Sequence, residues 1–88
     1  MIFTVKAEGE MYADGLTHEM VFEAIINAPA ITKALRSRNP RSGRRETLYV
    51  IKGQTYDGAT IYTKGKIATS EGREVFYVLI SSKRSTDA

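Results

Sequence analysis

The chain has 88 residues, 42% of them hydrophobic and 26% charged, so it fits one domain with one core and is too apolar to be disordered. It contains no cysteine, which excludes a disulfide framework, a thiolate metal site and a nucleophilic thiol, and suits a reducing compartment. It shows no export signal and no apolar run of the roughly 18 residues that cross a bilayer, so we expect a cytoplasmic protein.

The net charge of +3 is unevenly distributed along the chain. Residues 1–32 carry one lysine and five acidic residues, whereas residues 33–52 carry seven basic residues and a single acid, Glu46. A basic cluster attracts polyanions because it displaces the counterions condensed on phosphates. The same cluster is also common on solvated surfaces, so charge favours nucleic acid as a partner but leaves a bland alternative open.

The first 36 residues predict a strand and a helix. Ile2–Ala7 favours β-structure and indicates a strand or an ordered arm. Thr17 is a suitable N-cap, and Pro29 biases the preceding residue away from helical dihedrals, so a helix is expected from Thr17 to about Asn27. A short helical turn, Ile31–Arg36, is expected to follow. The apolar residues that recur at helical spacing are Leu16, Met20, Val21, Ala24 and Ile25.

The remaining residues predict a basic loop and a three-stranded meander. Pro40 and Gly43 interrupt a polar stretch and indicate a mobile basic loop over residues 37–47. Strands are expected at residues 48–51, 59–69 and 74–82, joined by an Asp57-Gly58 turn and by a turn at residues 70–73. Residues 85–88 are expected to be frayed.

The predicted fold is therefore a single α+β domain over residues 1–88. One amphipathic helix packs on an antiparallel meander of three strands, or of four if the N-terminal strand joins the sheet.

Alternation along the strands predicts what each sheet face carries. The face against the helix is assigned Ile61, Ile67, Phe76, Val78 and Ile80. The opposite, open face then carries Tyr62, Lys64, Lys66, Tyr77, Ser81 and Lys83. Tyrosine rings stack on unpaired bases and ammonium groups contact phosphates, so this face suits RNA, although the same residues are ordinary on a solvated strand.

Four short segments carry a family resemblance: Thr17-His18-Glu19, Asn27-Ala28-Pro29, Leu48–Gly53 and Val78–Arg84. In this order they resemble small bacterial toxins of the BrnT and MqsR kind, within the RelE-like class of messenger-RNA-cleaving enzymes. The resemblance extends from Thr17 to Ser85 and implies an acidic antitoxin as partner, with the ribosome as a further candidate.

A second part of this resemblance concerns two strand segments. Ile61-Tyr62-Thr63-Lys64 followed by Ile80-Ser81-Ser82-Lys83 is similar to the part of MqsR-like toxins that supplies a tyrosine and a lysine to RNA cleavage. The match implies catalytic roles for Tyr62 and Lys83.

Cleavage of RNA without a metal requires a base, cations to stabilise the phosphorane, and a proton source for the leaving oxygen. We assign cationic stabilisation to Lys83 and Lys64 and proton exchange with the RNA to Tyr62. The residues predicted to bind RNA are Lys66, Arg84, Arg44, Arg45 and Tyr77. His18, the only histidine, has a suitable titration range, but its place near a helix N-terminus favours a cap or surface role.

Other chemistries lack a motif. One histidine without cysteines or clustered carboxylates predicts no metal centre, and the glycines form no phosphate-binding loop, so no cofactor is expected. The leading hypothesis is a metal-independent endoribonuclease of a type II toxin–antitoxin system. Two alternatives are a non-catalytic RNA-binding module and a protein-interaction domain that docks a partner through its sheet edge or its acidic N-terminal part.

Overall fold

The computed structural model describes residues 1–70, 72 and 74–85. Its elements in chain order are β1 (Ile2–Phe3), α1 (Val5–Ala13), α2 (His18–Asn27), β2 (Lys33–Arg38), β3 (Arg45–Gln54), β4 (Thr60–Ser70) and β5 (Glu74–Arg84). The strands form one sheet in the order β1-β5-β4-β3-β2, antiparallel except that β1 runs parallel to β5. The α+β class is confirmed, with one more helix and a larger, mixed sheet than expected.

Helix α2 is the predicted helix. Thr17 is its N-cap, with the Oγ1 atom accepting a hydrogen bond from the Met20 backbone N–H at 3.2 Å. The helix ends at Asn27, and Ala28 is extended immediately before Pro29. Among the described helices, α1 and α2 have 9 and 10 residues, and neither is long and apolar enough to cross a membrane.

Helix α1 replaces most of the strand expected at Ile2–Ala7. Thr4 caps it by accepting a hydrogen bond from the Ala7 N–H at 3.2 Å, and Ala7 and Met11, one turn apart, are fully buried. Gly9 lies inside the helix, where it is less favourable than alanine by about 1 kcal/mol, so local propensity understates this helix. Packing of Ala7 and Met11 stabilises it instead.

Strand β2 replaces the helical turn expected at Ile31–Arg36, and the basic loop is shorter than residues 37–47. Pairing of β2 with β3 runs from Lys33 opposite Val50 to Arg38 opposite Arg45, which leaves only residues 39–44 as the connection. Asn39 orders that connection, because its N–H donates to the Arg44 carbonyl at 2.7 Å and its Oδ1 accepts from the Arg41 N–H at 2.8 Å. The basic segment is therefore a hairpin tip.

The meander of β3, β4 and β5 confirms the three strands predicted for the second half. The Asp57-Gly58 turn is present, with Gly58 at a φ of 89° and its N–H bonded to the Thr55 carbonyl at 2.9 Å. The turn predicted at residues 70–73 lies partly outside the described residues. Of the terminus predicted to fray, Ser85 donates its N–H to Thr60 at 2.9 Å, and residues 86–88 lie outside the described residues.

A β-bulge in β5 changes which side chains share a face. Ser81 lies opposite Lys64 but Leu79 lies opposite Gly65, so Ile80 is the extra residue. Before the bulge, Tyr77 and Leu79 pack on the helix side, and Val78 lies opposite Lys66 on the other face. The assignment of Val78 and Ile80 to the helix face, and of Tyr77 to the open face, was therefore wrong. Ser81, also expected on the open face, is buried and bonds to Glu10 of α1. The Phe76 side chain lies outside the described ones.

The core lies between the two helices and the sheet. Its fully or nearly fully buried members are Ala7, Met11, Leu16, Val21, Ala24, Ile61 and Leu79. Ile67, which was also expected there, is 51% exposed. It lies on the helix side by strand parity but towards the β4–β5 turn, where the helices do not cover the sheet.

Candidate functional site

A row of three residues crosses the open face, the sheet face turned away from α1 and α2. Lys52 on β3 lies opposite Tyr62 on β4, and Tyr62 lies opposite Lys83 on β5. The Lys83 Nζ atom is 5.6 Å from the centre of the Tyr62 ring, which is within cation–π range. The structure thus brings together the tyrosine and the lysine predicted to be catalytic.

Lys64 on β4 adds a further cation to this group. It is two residues beyond Tyr62 and therefore on the same face, about 7 Å further along the strand. Its neighbour on β3, Val50, is fully buried although it faces away from the helices. On β2, Lys33 lies opposite Val50 and therefore on the same face. Lysine stems commonly lie along apolar surface while their ammonium groups reach solvent, so this face combines an apolar floor with cationic groups.

The backbone that carries Lys83 is fixed from the helix side. Glu10 of α1 accepts a hydrogen bond from the Ser81 Oγ at 2.6 Å and from the Ser82 N–H at 3.2 Å. The Ser82 hydroxyl donates to the Ala7 carbonyl at 2.8 Å. Both serines are buried, so α1 holds the segment immediately before Lys83 in place.

Lys66 is on the open face, but its charge is partly neutralised. Its Nζ is 3.5 Å from Glu46 Oε1, which also accepts a hydrogen bond from Asn39 Nδ2 at 2.9 Å. These contacts lower the pKa of Glu46, and the hydrogen bond from Asn39 is the main cause. Burial of the carboxylate acts in the opposite direction and raises the pKa, whereas the charge and the hydrogen bond of Lys66 lower it further. Lys66 is therefore a weaker candidate for RNA binding than Lys64 or Lys83.

The lowered pKa of Glu46 predicts a measurable pH dependence. A carboxylate with a depressed pKa stabilises the folded state above its unfolded pKa, and this stabilisation is lost as pH falls through the folded pKa. In a carbon-detected NMR titration, Glu46 is expected to titrate below an ordinary glutamate. Asn39→Ala and Lys66→Gln are each expected to raise this pKa. An ordinary Glu46 pKa in the wild type would contradict the geometry.

Two residues predicted to bind RNA lie on the wrong side of the sheet. Tyr77 donates its hydroxyl to the Tyr49 carbonyl at 2.9 Å beneath the helices, and burial raises its pKa. Arg84 lies opposite the buried Ile61, its N–H bonded to Asp14 Oδ2 at 2.7 Å. The bulge at Ile80 explains why Tyr77 was assigned to the wrong face. Its extra residue places Leu79 and Ser82 on the same face although they are three positions apart, so simple alternation from Lys83 back to Tyr77 fails.

Arg44 and Arg45 are also separated from the Tyr62–Lys83 pair. Arg44 is at the tip of the β2–β3 hairpin, where its N–H donates to Ser42 Oγ at 3.2 Å. Arg45 is on the same face of β3 as Gly53, which contacts α2, so it points away from the open face.

His18 lies among the helices. Its Nε2 is 2.7 Å from Glu8 Oε2, and its ring contacts Phe3 edge to face at a centroid distance of 4.5 Å. The Tyr12 ring is 5.9 Å away. His18 therefore joins β1, α1 and α2.

A cleft of about 590 Å³ adjoins the row at the end of β3. Lys52, Gln54 and Thr60 line it from the sheet, and Asn27 and Pro29 from the end of α2; Tyr56, at the β3–β4 turn, is 76% exposed. Sequence reasoning missed Lys52 and Tyr56 as site residues. The alternation of Val50, Lys52 and Gln54 along β3 was the signal for Lys52.

The open face supplies lysine ammonium groups and the hydroxyl of Tyr62, and the exposed Tyr56 ring lies at the adjoining turn. Within the described part of the chain, no group of three histidine, cysteine, aspartate or glutamate side chains is placed to hold a metal ion. The open face is thus chemically suited to binding an anionic strand and to moving a proton at Tyr62. No family model matches the sequence, and no curated protein or solved structure is significantly similar to it.

Proposed function

We propose that this chain is a metal-independent endoribonuclease of the toxin–antitoxin type that cuts RNA on the open face. The observation that supports this most directly is the pairing of Tyr62 with Lys83, whose Nζ is 5.6 Å from the tyrosine ring. Lys64 lies on the same face two residues away, so a phosphate above Tyr62 would have cations on two sides.

The reaction follows from these groups. The ribose 2′-oxygen attacks the adjacent phosphorus while the bond from phosphorus to the 5′-oxygen breaks, which leaves a 2′,3′-cyclic phosphate and a 5′-hydroxyl. The proton of the 2′-hydroxyl passes to water, and the Tyr62 hydroxyl donates a proton to the departing 5′-oxygen. The Tyr62 phenolate then takes a proton from the hydronium ion, which regenerates the enzyme. Lys83 and Lys64 stabilise the additional negative charge of the phosphorane.

The shape of the face favours single-stranded RNA. The bases of a single strand can stack on exposed aromatic rings, whereas in a duplex the bases are stacked on each other and are not accessible to these rings. The cleft beside Lys52, with Tyr56 at its rim, is large enough for a nucleotide next to the one that is cut. An acidic antitoxin would inhibit the enzyme by placing carboxylates against the lysines of this face.

The decisive experiment is cleavage of single-stranded RNA by the purified chain in the presence of EDTA. We expect cleavage to persist in EDTA because no step requires a metal, and the fragments to end in 2′,3′-cyclic phosphate and 5′-hydroxyl groups because the 2′-oxygen is the nucleophile. A DNA strand of the same sequence should bind but remain intact, since it lacks the 2′-hydroxyl that attacks the phosphorus.

Two other outcomes would point to a different function, and a third would change only the substrate. Binding of RNA without cleavage, with or without added ribosomes, would replace the enzyme by a non-catalytic RNA-binding module. Absence of both binding and cleavage would favour a protein-interaction domain. Cleavage that appears only after ribosomes are added would retain the enzyme and assign it a ribosome-bound substrate.

A further inference from the structure

Three arginines of the β2–β3 hairpin form a surface on the opposite side of the sheet from Tyr62. Arg38 lies directly opposite Arg45, and Arg36 is two residues from Arg38 along β2, so all three share one face. All three are exposed and, together with Ser37, they line a depression of about 180 Å³. We call this the arginine surface.

Lysines and arginines are segregated between the two faces of the sheet. Lys33, Lys52, Lys64 and Lys83 belong to the open face by their cross-strand partners. The arginine surface is on the helix side, but α2 packs against the other end of β3, at Gly53, and leaves the hairpin uncovered. The molecule therefore has two distinct basic surfaces that meet at the outer edge of β2.

The charge of the arginine surface is not compensated within the described residues. None of its three side chains forms an ion pair there, and the contact between Arg38 Nη1 and the Gly43 carbonyl, at 3.3 Å, neutralises no charge. Like charges directly opposite each other in an antiparallel pair destabilise a sheet. An anion bound across Arg38 and Arg45 would remove this repulsion.

We propose that the arginine surface binds the phosphate backbone of the same RNA strand that occupies the open face, beyond the point where the strand passes round the edge of β2. This inference rests on the proposed function. β2 is the last strand of the sheet in the described part of the chain, so no other described strand blocks the path from one face to the other. The substrate is thus a single strand long enough to contact both faces.

The chemistry of arginine favours a phosphate backbone over an acidic protein segment. Its planar guanidinium donates two parallel hydrogen bonds to a phosphate, which lysine cannot do. Arg36 and Arg38 are separated by about 7 Å along β2, the spacing of alternate strand residues, which allows each to bind a successive phosphate. The depression between the arginines provides room for such a group.

The test compares two lengths of 2′-O-methyl RNA, which cannot be cleaved because the attacking hydroxyl is blocked. One has about 4 nucleotides and the other about 12, both within the roughly 4 to 16 nucleotides that single-strand-binding domains cover. For the longer RNA, the double variant Arg36→Ala/Arg38→Ala is expected to bind about 10-fold more weakly. Its slope of log affinity against log salt should be shallower by about 1.4, or 0.7 for each lost contact. The shorter RNA, held by the open face, should bind equally well to both proteins.

Two controls make the result specific. Arg36→Lys/Arg38→Lys keeps the charge without the guanidinium fork, so it should retain the salt slope but bind the long RNA more weakly than the wild type. Tyr12→Phe alters an exposed side chain on α1, far from the hairpin in the sequence, and should leave the affinity for both RNAs unchanged.

The outcomes separate this inference from the function on which it rests. If the wild type binds neither RNA, the proposed function fails and the inference fails with it. If the wild type binds both RNAs and the arginine variants do so equally well, the inference alone is overturned. Self-association of the alanine variant with unchanged RNA affinity would show instead that the arginines protect an open sheet edge.

Discussion

Replacement of Lys83 by alanine, or of Tyr62 by phenylalanine, is expected to slow RNA cleavage about 100-fold in each case, the typical loss when a charge-stabilising group or a general acid is removed. Lys83→Ala removes the ammonium group that lies 5.6 Å from the Tyr62 ring. Tyr62→Phe keeps the ring for stacking and removes only the hydroxyl. The first substitution should therefore weaken RNA binding and cleavage, and the second should affect cleavage alone.

The measurement is single-turnover cleavage of RNA at saturating enzyme, with affinity determined separately on uncleavable RNA. Tyr12→Phe is the matched control, since it removes the hydroxyl of a 60% exposed tyrosine on α1, on the helix side. The double variant should be little slower than either single variant if Tyr62 and Lys83 act as a unit, whereas independent contributions would multiply. Wild-type cleavage by a folded Tyr62→Phe protein would exclude the tyrosine as the proton donor.

The elements with strong local signals were predictable from the sequence. Helix α2 has an N-cap at Thr17, apolar residues at helical spacing and a proline two residues after its last residue. Strands β3 to β5 have β-branched runs with turn residues between them, such as Asp57-Gly58. In these segments the local preference and the tertiary fold agree.

Helix α1 and strand β2 were missed because tertiary contacts decide their structure. Ala7 and Met11 are two apolar residues around a glycine, which is a weak helical pattern until they are buried against β5 and α2. β2 has few apolar residues, and its pairing with β3 makes it a strand. An edge strand that carries charged residues has little alternation for sequence reasoning to detect.

The candidate site was predictable where strand alternation is unbroken. Tyr62 and Lys83 share a face because both lie on the same side of the bulge at Ile80. Tyr77 lies on the other side of that bulge, and a one-residue insertion moves every preceding side chain to the opposite face. No turn residue or proline marks Ile80, so its extra position follows only from the pairing of β4 with β5.

Gly53→Ala is expected to destabilise the protein by about 3 kcal/mol or more, because the strand and helix α2 touch at this residue. A Cβ at position 53 would overlap the Ala24 carbonyl oxygen and lie 2.7 Å from its carbon, and both belong to backbone that cannot rotate away. The helix or the strand would have to shift. A domain of this size is stabilised by roughly 5 to 15 kcal/mol in total, so the variant should unfold at a much lower urea concentration.

Gly9→Ala provides the matched control with the opposite sign. Gly9 lies inside α1, and a Cβ added there meets nothing within 4 Å, so the alanine should stabilise the protein by about 0.5 to 1 kcal/mol. Equal urea midpoints for the two variants would contradict the close contact of β3 with α2.

The contact of Gly53 with α2 also matters for function, because Gly53 follows Lys52 and Asn27, the last residue of α2, lines the cleft. A residual folded fraction of Gly53→Ala should therefore cleave RNA more slowly than the wild type, whereas Gly9→Ala should cleave at the wild-type rate.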